Sequence, residues 1–455
     1  MLPIVTPEEM AVIDRDAPEP VAVLIDRAGA AVARAALDLL GGGYGREVVV
    51  VAGKGNNGND GRAAAARLRR RGVHVTVIDA AGAPALLPHS DLVIDAAYGT
   101  GFRGDYDAPD PAGAPVLAVD IPSGVDGLTG AAGPTAVRAE RTVTFAALKP
   151  GLLLYPGRAL AGVVEVADIG LDCSRARAHL VGADDVAGWL PERPVEAHKW
   201  QAAVWIIAGS PGMTGAAVLA CRGAQRAGAG YVRLSAPGVD PGATGAPVEV
   251  VGVALAEDGW ADDVVGGVGR FKALVLGPGL GTRERTGDAV RSVARGCGDL
   301  PMVIDGDGLT ALASDRRGTV AGALDGRHVL TPHDGEYERL VGHPPGADRF
   351  AAARELAASS GATVLLKGTT TIVAEPGGAV VVTTTGDARL ATAGTGDVLS
   401  GVIGALLAQG VEPASAAAAG AWLHGRAGTL GPRRGLVAGD VADHLTAVFD
   451  QLLAP

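Results

Sequence analysis

Two series of short Val-, Ile- and Ala-rich runs constrain what this chain can fold into. The first comprises Val48–Ala52, Val73–Ile78, Leu92–Ala96, Val116–Ile121 and Thr142–Phe145. The second comprises Ala203–Ala208, Tyr231–Leu234, Ala273–Leu276, Met302–Asp305, Val329–Thr331, Thr363–Lys367 and Ala379–Thr383. Each run has strand length, and helical or loop segments separate them. Runs apolar on both faces of the pleat, joined by helices, predict parallel sheets covered on both sides, an α/β fold. A helix start is predicted at Thr6-Pro-Glu-Glu and a helix over Val21–Leu40, closed by Gly41-Gly42-Gly43. The second series ends in helical stretches at Asp397–Gln409 and Pro413–Leu430. Between the series, Asp172–Lys199 is polar with no clear strand, so two domains are expected, 1–175 and 176–455.

Polar residues cluster where the strands end. After Val48–Ala52 comes Gly53-Lys-Gly-Asn-Asn-Gly-Asn-Asp-Gly61. Gly53, Gly55 and Gly58 match the dinucleotide fingerprint, and Asp79 stands where a ribose-binding acid would. Two Asn and an Asp exceed what that fingerprint needs, and no Gly-Lys-Ser/Thr makes it a P-loop. A glycine turn capped by Asn is the structural alternative. Leu92–Ala96 supplies Asp95, followed by Gly99-Thr-Gly-Phe-Arg-Gly-Asp105; Val116–Ile121 supplies Asp120, followed by Pro122-Ser-Gly-Val-Asp-Gly127. Ligands of doubly wound sheets bind at carboxyl strand ends, so Asn57, Asp95, Asp120 and Ser123 are expected to converge.

These motifs resemble the NAD(P)H-hydrate epimerase family, from the Thr6–Asp14 helix to Asp168-Ile-Gly170. The resemblance implies a Rossmann-like three-layer domain. It implies substrate binding by Asn56, Asn57, Gly58, Asn59 and Asp60, by Gly99, Thr100, Gly101, Phe102, Arg103, Gly104 and Asp105, and by Asp120. It also implies a potassium ion on Asn57, Asp95 and Ser123, an all-oxygen set that suits a hard cation. Asp120 is the candidate acid/base. Asn59 replaces the family's second Gly; if the position needs positive φ, Asn tolerates it better than most residues.

The second series carries Leu390-Ala-Thr-Ala-Gly-Thr-Gly-Asp-Val-Leu-Ser-Gly401. Glycines opening a helix turn unpaired amides toward an anion. Asp397 there is either a helix cap or the base that takes a proton from a hydroxyl attacking phosphorus. Gly-Thr-Gly-Asp resembles the ribokinase-like superfamily. Gly209–Ala216, Gly277-Pro-Gly-Leu-Gly281, Asp305-Gly-Asp-Gly-Leu309, Thr331-Pro-His-Asp-Gly-Glu336, Lys367–Thr371 and Ala421-Trp-Leu-His-Gly425 make the region from His198 to Leu445 resemble NAD(P)H-hydrate dehydratase, ADP- or ATP-dependent. The resemblance implies that Ala216, Gly279, His333 and Asp397 contact the hydrated nucleotide. Lys367, Gly368, Thr369, Thr370, Thr371 and Gly396 would hold the adenine nucleotide, with Mg2+. Trp200-Gln201 after His198-Lys199 departs from the family, as does Asp387, whose charge is expected to weaken nucleotide binding.

The expected protein is thus a fused repair enzyme. One domain interconverts the C6 epimers of hydrated NADH or NADPH. The other phosphorylates the hydroxyl of the S epimer and lets the ring expel phosphate. Rival readings are a ribokinase-like kinase of a vitamin precursor or sugar, a Rossmann dehydrogenase using Asp79, and a binding or scaffold module. A net charge of −11 without a basic tail argues against nucleic acid. Three scattered cysteines, Cys173, Cys221 and Cys297, form neither a disulfide framework nor a CxxC site. No signal-peptide pattern opens the chain and no apolar stretch suffices to span a bilayer, so a soluble cytoplasmic protein is expected. The family resemblance adds an expected homo-oligomer.

Overall fold

A computed structural model describes residues 1–104, 106–313 and 324–454. The chain forms two compact units, Leu2–His179 and Leu180–Pro455, the latter with Met1.

In the first unit, α1 (Pro7–Arg15) starts at the expected Thr6, whose hydroxyl accepts the Glu9 N–H while Glu9 accepts the Thr6 N–H. α2 (Val21–Leu40) stops at Gly41 in the left-handed region, φ 65°. Then come β1 (Glu47–Ala52), α3 (Asn56–Arg70), β2 (His74–Asp79), β3 (Leu92–Ala96), β4 (Val116–Val119), β5 (Arg141–Phe145) and β6 (Val163–Ala167). The sheet is parallel, in the order β2-β1-β3-β4-β5-β6. Val48 and Val50 pack with residues of α2 and α3 such as Val32 and Leu68, while Val49 and Val51 face the opposite side with Leu87 and Val93. That pleat alternation explains the uninterrupted valines. On the second face the covering layer comes from connecting segments rather than long helices. The β6 strand was not anticipated from sequence.

The second unit contains β7 (Ala203–Ile207), α4 (Thr214–Arg226), β8 (Tyr231–Ser235), β9 (Val251–Gly252), β10 (Ala273–Leu276), α5 (Glu284–Gly296), β11 (Met302–Ile304), α6 (Asp307–Ala313) and β12 (His328–Leu330). It continues with α7 (Asp334–Val341), α8 (Arg349–Ser360), β13 (Thr363–Leu366), β14 (Thr371–Ala374), β15 (Val380–Thr383), α9 (Thr395–Ala408), α10 (Pro413–Leu430) and α11 (Ala438–Leu452). These strands lie in the order β15-β14-β13-β12-β11-β10-β7-β8-β9. They are parallel except for the antiparallel β13–β14–β15 meander. α9 is apolar all round and buried along most of its length, as a helix inside a core must be. Its approach to α4 depends on glycine: a Cβ at Gly401 would lie 2.0 Å from the Ala220 carbonyl oxygen, and one at Gly223 2.3 Å from that of Val398. The expectation that the chain ends in two helices is corrected by α11, and Asp172–Lys199, expected to lack a strand, holds one at Ala178–Leu180. Among the described residues no helix is long and apolar enough to cross a membrane.

Candidate functional site

Each unit gathers its polar residues at the carboxyl ends of its parallel strands. In the first, β2 and β3 leave β1 in opposite directions, opening a crevice at the carboxyl ends of β1 and β3. Gly53 is required there because a Cβ would stand 2.0 Å from the Ala97 carbonyl oxygen; at Gly58 it would stand 1.9 Å from that of Gly53. The expected loop is already helix: Asn56, Asn57, Gly58, Asn59 and Asp60 form the first turns of α3. Asn59 therefore has no positive φ to tolerate.

Asp95 ends β3 fully buried and takes the Ser123 hydroxyl at 2.7 Å and the Ser123 N–H at 2.8 Å. Burial pushes its carboxyl up to about 6. The Asn57 amide is buried with neither Oδ1 nor Nδ2 bonded. Gly99 sits between Asn57 and Asp120, each 3.3 Å from where its Cβ would be. Asp120 follows β4 in the left-handed region, φ 68°, uncommon outside glycine although Asp enters it more readily than most residues. Its carboxylate accepts the Thr100 N–H at 3.1 Å and the Thr144 hydroxyl at 3.1 Å, and pairs with Lys149 at 2.7 Å. Lys149 is 1% exposed and also donates to the carbonyls of Phe145 and Ala147. Burial works against the Asp120 charge, but Lys149 and these donors hold the group below the usual carboxylate range. Asp60 goes the other way: burial, then the charges of Asp120 and Asp14, lift it to about 8.

Phe102 packs on Tyr98, ring centroids 4.4 Å apart, and Arg103 reaches Asp126 at 3.3 Å. Cβ atoms at Gly101 and Gly104 would meet open space. Asp105 lies outside the described residues. Asp79, the acid of the dehydrogenase alternative, is exposed and paired with Arg62 at 2.6 Å. Sequence reasoning missed Lys149 and Thr144. Both lie at the carboxyl end of β5, where the strand-end rule applied to the other runs would have found them.

In the second unit the reversal lies between β7 and β10. There the Ser210 hydroxyl donates to the Gly279 carbonyl at 2.9 Å, and a Cβ at Gly279 (φ 64°) would lie 3.1 Å from the Ala216 methyl. Asp305 follows β11, buried, accepting Lys367 Nζ at 3.0 Å and the Ser400 hydroxyl at 2.6 Å. Lys367 follows β13 and also approaches Glu336 at 3.4 Å. Burial opposes both charges, yet each holds the other: Asp305 lies below its ordinary range and Lys367 above its own. His333 caps α7, its Nδ1 accepting the Gly335 and Glu336 amides at 3.0 and 3.3 Å, so its proton sits on Nε2.

α9 opens on Gly394, φ 91°, with no side chain capping it. Asp397 in its first turn accepts no side-chain or capping hydrogen bond among the described residues. Burial and then the Asp305 charge lift its carboxyl to about 7, although Lys367 pulls it down. A cavity of about 520 Å3 joins His333, Lys367, Gly368, Thr369, Thr371 and Gly396. Thr370 is buried and does not line it. Asp387 does line it, but its charge is matched: Arg389 donates its backbone N–H at 2.9 Å and its guanidinium at 2.7 Å, and is itself anchored on the Gly431 carbonyl. Trp200 belongs to packing, 4.4 Å from the Tyr231 ring with Arg270 over its face at 4.1 Å. Asp305, Glu336, Ser400 and His424 were not among the expected site residues. Asp305 was visible as a strand-end motif, and the others come together only through the fold.

The second unit matches a family model described as NAD(P)H-hydrate dehydratase over residues 204–449, and the first matches one described as YjeF-related protein N-terminus over 21–85 and 79–151. A bifunctional NAD(P)H-hydrate repair enzyme from Moorella thermoacetica is 35% identical, covering 99% of this chain and 97% of that protein. One from Mycobacterium tuberculosis is 41% identical over 83% of this chain and 82% of its own. The crystal structure of an ADP/ATP-dependent NAD(P)H-hydrate dehydratase from Bacillus subtilis, co-crystallised with ATP and Mg2+, is 30% identical with a TM-score of 0.53. It covers 60% of this chain and 97% of that one. A ribokinase-like protein from Enterococcus faecalis shares the fold at 23% identity and a TM-score of 0.55.

Proposed function

Since the chain belongs to the bifunctional NAD(P)H-hydrate repair enzymes, we propose that its two units divide the restoration of NADH and NADPH from their C6 hydrates. The first interconverts the R and S epimers. The second phosphorylates the S hydroxyl with an adenine nucleotide; the ring nitrogen lone pair then expels phosphate, and loss of a C5 proton from the resulting iminium restores the C5–C6 double bond. The observation that carries the second half is Asp397, a carboxylate with no fixed partner, lifted to about 7 at an uncapped glycine helix start beside Lys367. Such a group is basic enough to take the hydroxyl proton as phosphorus is attacked. The α9 amides and Lys367 face the transferring phosphoryl group. Lys367, Gly368, Thr369, Thr371 and Gly396 hold the adenine nucleotide, with Thr370 buried behind them; Ala216, Gly279 and His333 hold the hydrate. No group of three or more His, Cys, Asp or Glu suited to a metal occurs among the described residues. Mg2+ accompanies the nucleotide phosphates, the usual arrangement in phosphoryl transfer.

For the epimerase, Asp120 is held ionised and Asp60 protonated in one crevice. Two carboxyls with pKa values pushed apart supply a proton acceptor and a donor together, which remaking a bond at C6 in either direction requires. Asn57 through Asp60, the Gly99–Asp105 segment and Asp120 would line the substrate. The unbonded Asn57 Oδ1 and the Asp95 carboxylate, hydrogen-bonded but without a cationic partner, fit potassium together with the Ser123 hydroxyl: an all-oxygen set at a buried carboxylate. The ion would neutralise that charge and orient Asn57. A cytoplasmic location and a homo-oligomeric state belong to the same reading. The test is chemically hydrated NADPH with Mg2+ and ADP or ATP, followed by recovery of reduced-nicotinamide absorbance. Both epimers should be consumed; recovery of neither with any adenine nucleotide would sink the reading.

A further inference from the structure

Among the polar residues lining the cavity of the second unit, His424 has no role above and is set apart by a buried, unbonded atom. His424 lies in the middle of α10, is 7% exposed, and lines the cavity with Ala421 and Gly425 on the same helix. Its Nε2 is buried without a hydrogen-bond partner. An unbonded polar atom in a tight wall costs stability, so such a group points to a ligand that completes it. The wall is tight: a Cβ at Gly425 would stand 2.4 Å from the Thr385 hydroxyl, and that hydroxyl donates to the Trp422 carbonyl at 3.0 Å. The ring is held by its other nitrogen, which hydrogen-bonds the Thr395 backbone, so Nε2 carries the lone pair. Burial, with the Lys367 charge, drops the imidazole to about 4, so it is neutral at pH 7 with one N–H and one lone pair.

Two groups within the rest of the lining differ in chemistry. Lys367, Thr369 and Gly396 stand beside the uncapped start of α9 and suit phosphate. Leu390, Ala391, Leu399 and Ala421 form an apolar surface with His424 as its buried hydrogen-bonding group. A flat heterocycle with a polar edge needs both features of that second surface. We propose that His424 Nε2 hydrogen-bonds the 6-amino/N1 edge of the adenine ring, so that it selects the base of the phosphoryl donor. This rests on the adenine-nucleotide reading of the same cavity.

The test is calorimetric titration of the full chain with ADP, inosine diphosphate and pyrophosphate, for the wild type, His424→Phe and His424→Gln. His424→Phe keeps the ring's bulk and removes its nitrogens. ADP should bind it about tenfold more weakly, the loss of one buried hydrogen bond. The wild type should prefer ADP to inosine diphosphate, and that preference should collapse in the variant while pyrophosphate binding is unchanged. His424→Gln should recover part of the ADP affinity. Unchanged ADP affinity in a variant with the wild-type melting temperature overturns the proposal. So does equal weakening of pyrophosphate, which would assign Nε2 to phosphate instead. If His424→Phe does not fold, the wild type decides: the 15N resonance of Nε2 must move on adding ADP and not on adding pyrophosphate, and the opposite pattern overturns the proposal. A wild type that binds no adenine nucleotide at all refutes the reading of the cavity instead.

Discussion

Both units set a buried lysine–aspartate pair beside a second carboxyl that its surroundings keep from ionising at the usual pH. In the first the pair is Lys149–Asp120 with Asp60; in the second it is Lys367–Asp305 with Asp397. The likeness is electrostatic, and the difference lies in what surrounds it. Beside Asp397 the chain provides an uncapped helix start whose Gly396 lines a cavity of about 520 Å3, the setting proposed for phosphoryl transfer. Around Asp60 it provides an unbonded Asn57 amide and a carboxylate, Asp95, without a cationic partner. On the proposed reading, the same motif of paired and unpaired carboxyls serves a reaction that consumes nucleotide and one that does not.

The largest effect expected from breaking this parallel is on Asp397. Asp397→Asn should lower dehydration by roughly a hundred- to ten-thousand-fold, the usual contribution of a general base. Because Asp397 caps no helix amide, its melting temperature should not fall. Epimer interconversion, followed by chromatography, should continue. Dehydration at the normal rate in the folded variant would leave Asp397 without a catalytic role.

The lysines should separate the units by stability. Lys149→Met leaves a buried Asp120 charge unpaired and should cost about 3–5 kcal/mol in denaturant unfolding. Lys367→Met should cost less, because the Lys367 side chain is 21% exposed against 1% for Lys149. The pairing of Lys149 with Asp120 predicts that Lys149→Met with Asp120→Leu recovers much of the loss; no recovery would mean that the two do not interact.

The pH profiles should be opposed. Asp397 must lose its proton to act as base, so kcat/KM for dehydration should rise about tenfold per pH unit and level off above about 7. Asp60 must keep its proton to act as donor, so epimerisation should be level below about 8 and fall above it. Parallel profiles would remove Asp60 from the mechanism. The smallest change is expected at the proposed cation site. Asn57→Leu should raise the potassium concentration needed for half-maximal epimerisation about tenfold, the loss of one polar contact, while dehydration stays indifferent to potassium. An unchanged potassium requirement would exclude Asn57 as a ligand.

The sequence by itself determined the α/β class, the two series of strands, the glycine loops at their ends and the helix starts at Thr6 and α9. These are local properties. A valine run apolar on both sides can only be buried from both faces, and a Thr-Pro-Glu-Glu or Gly-Thr-Gly-Asp segment carries its own backbone preference. Short or polar elements such as Ala178–Leu180, and the last helix, were not legible because their stability comes from neighbours distant in sequence. Only the tertiary structure decided which carboxyls carry charge. Asp120 and Asp60 look alike in sequence, both beside glycine loops, yet Lys149 fixes one as an anion while burial keeps the other neutral. In the same way Arg389 cancels the charge that Asp387 brings to the cavity, and the packing of α10 leaves His424 Nε2 without a partner. Protonation depends on burial and on charges brought close by the fold, and neither is a property of a residue's neighbours along the chain.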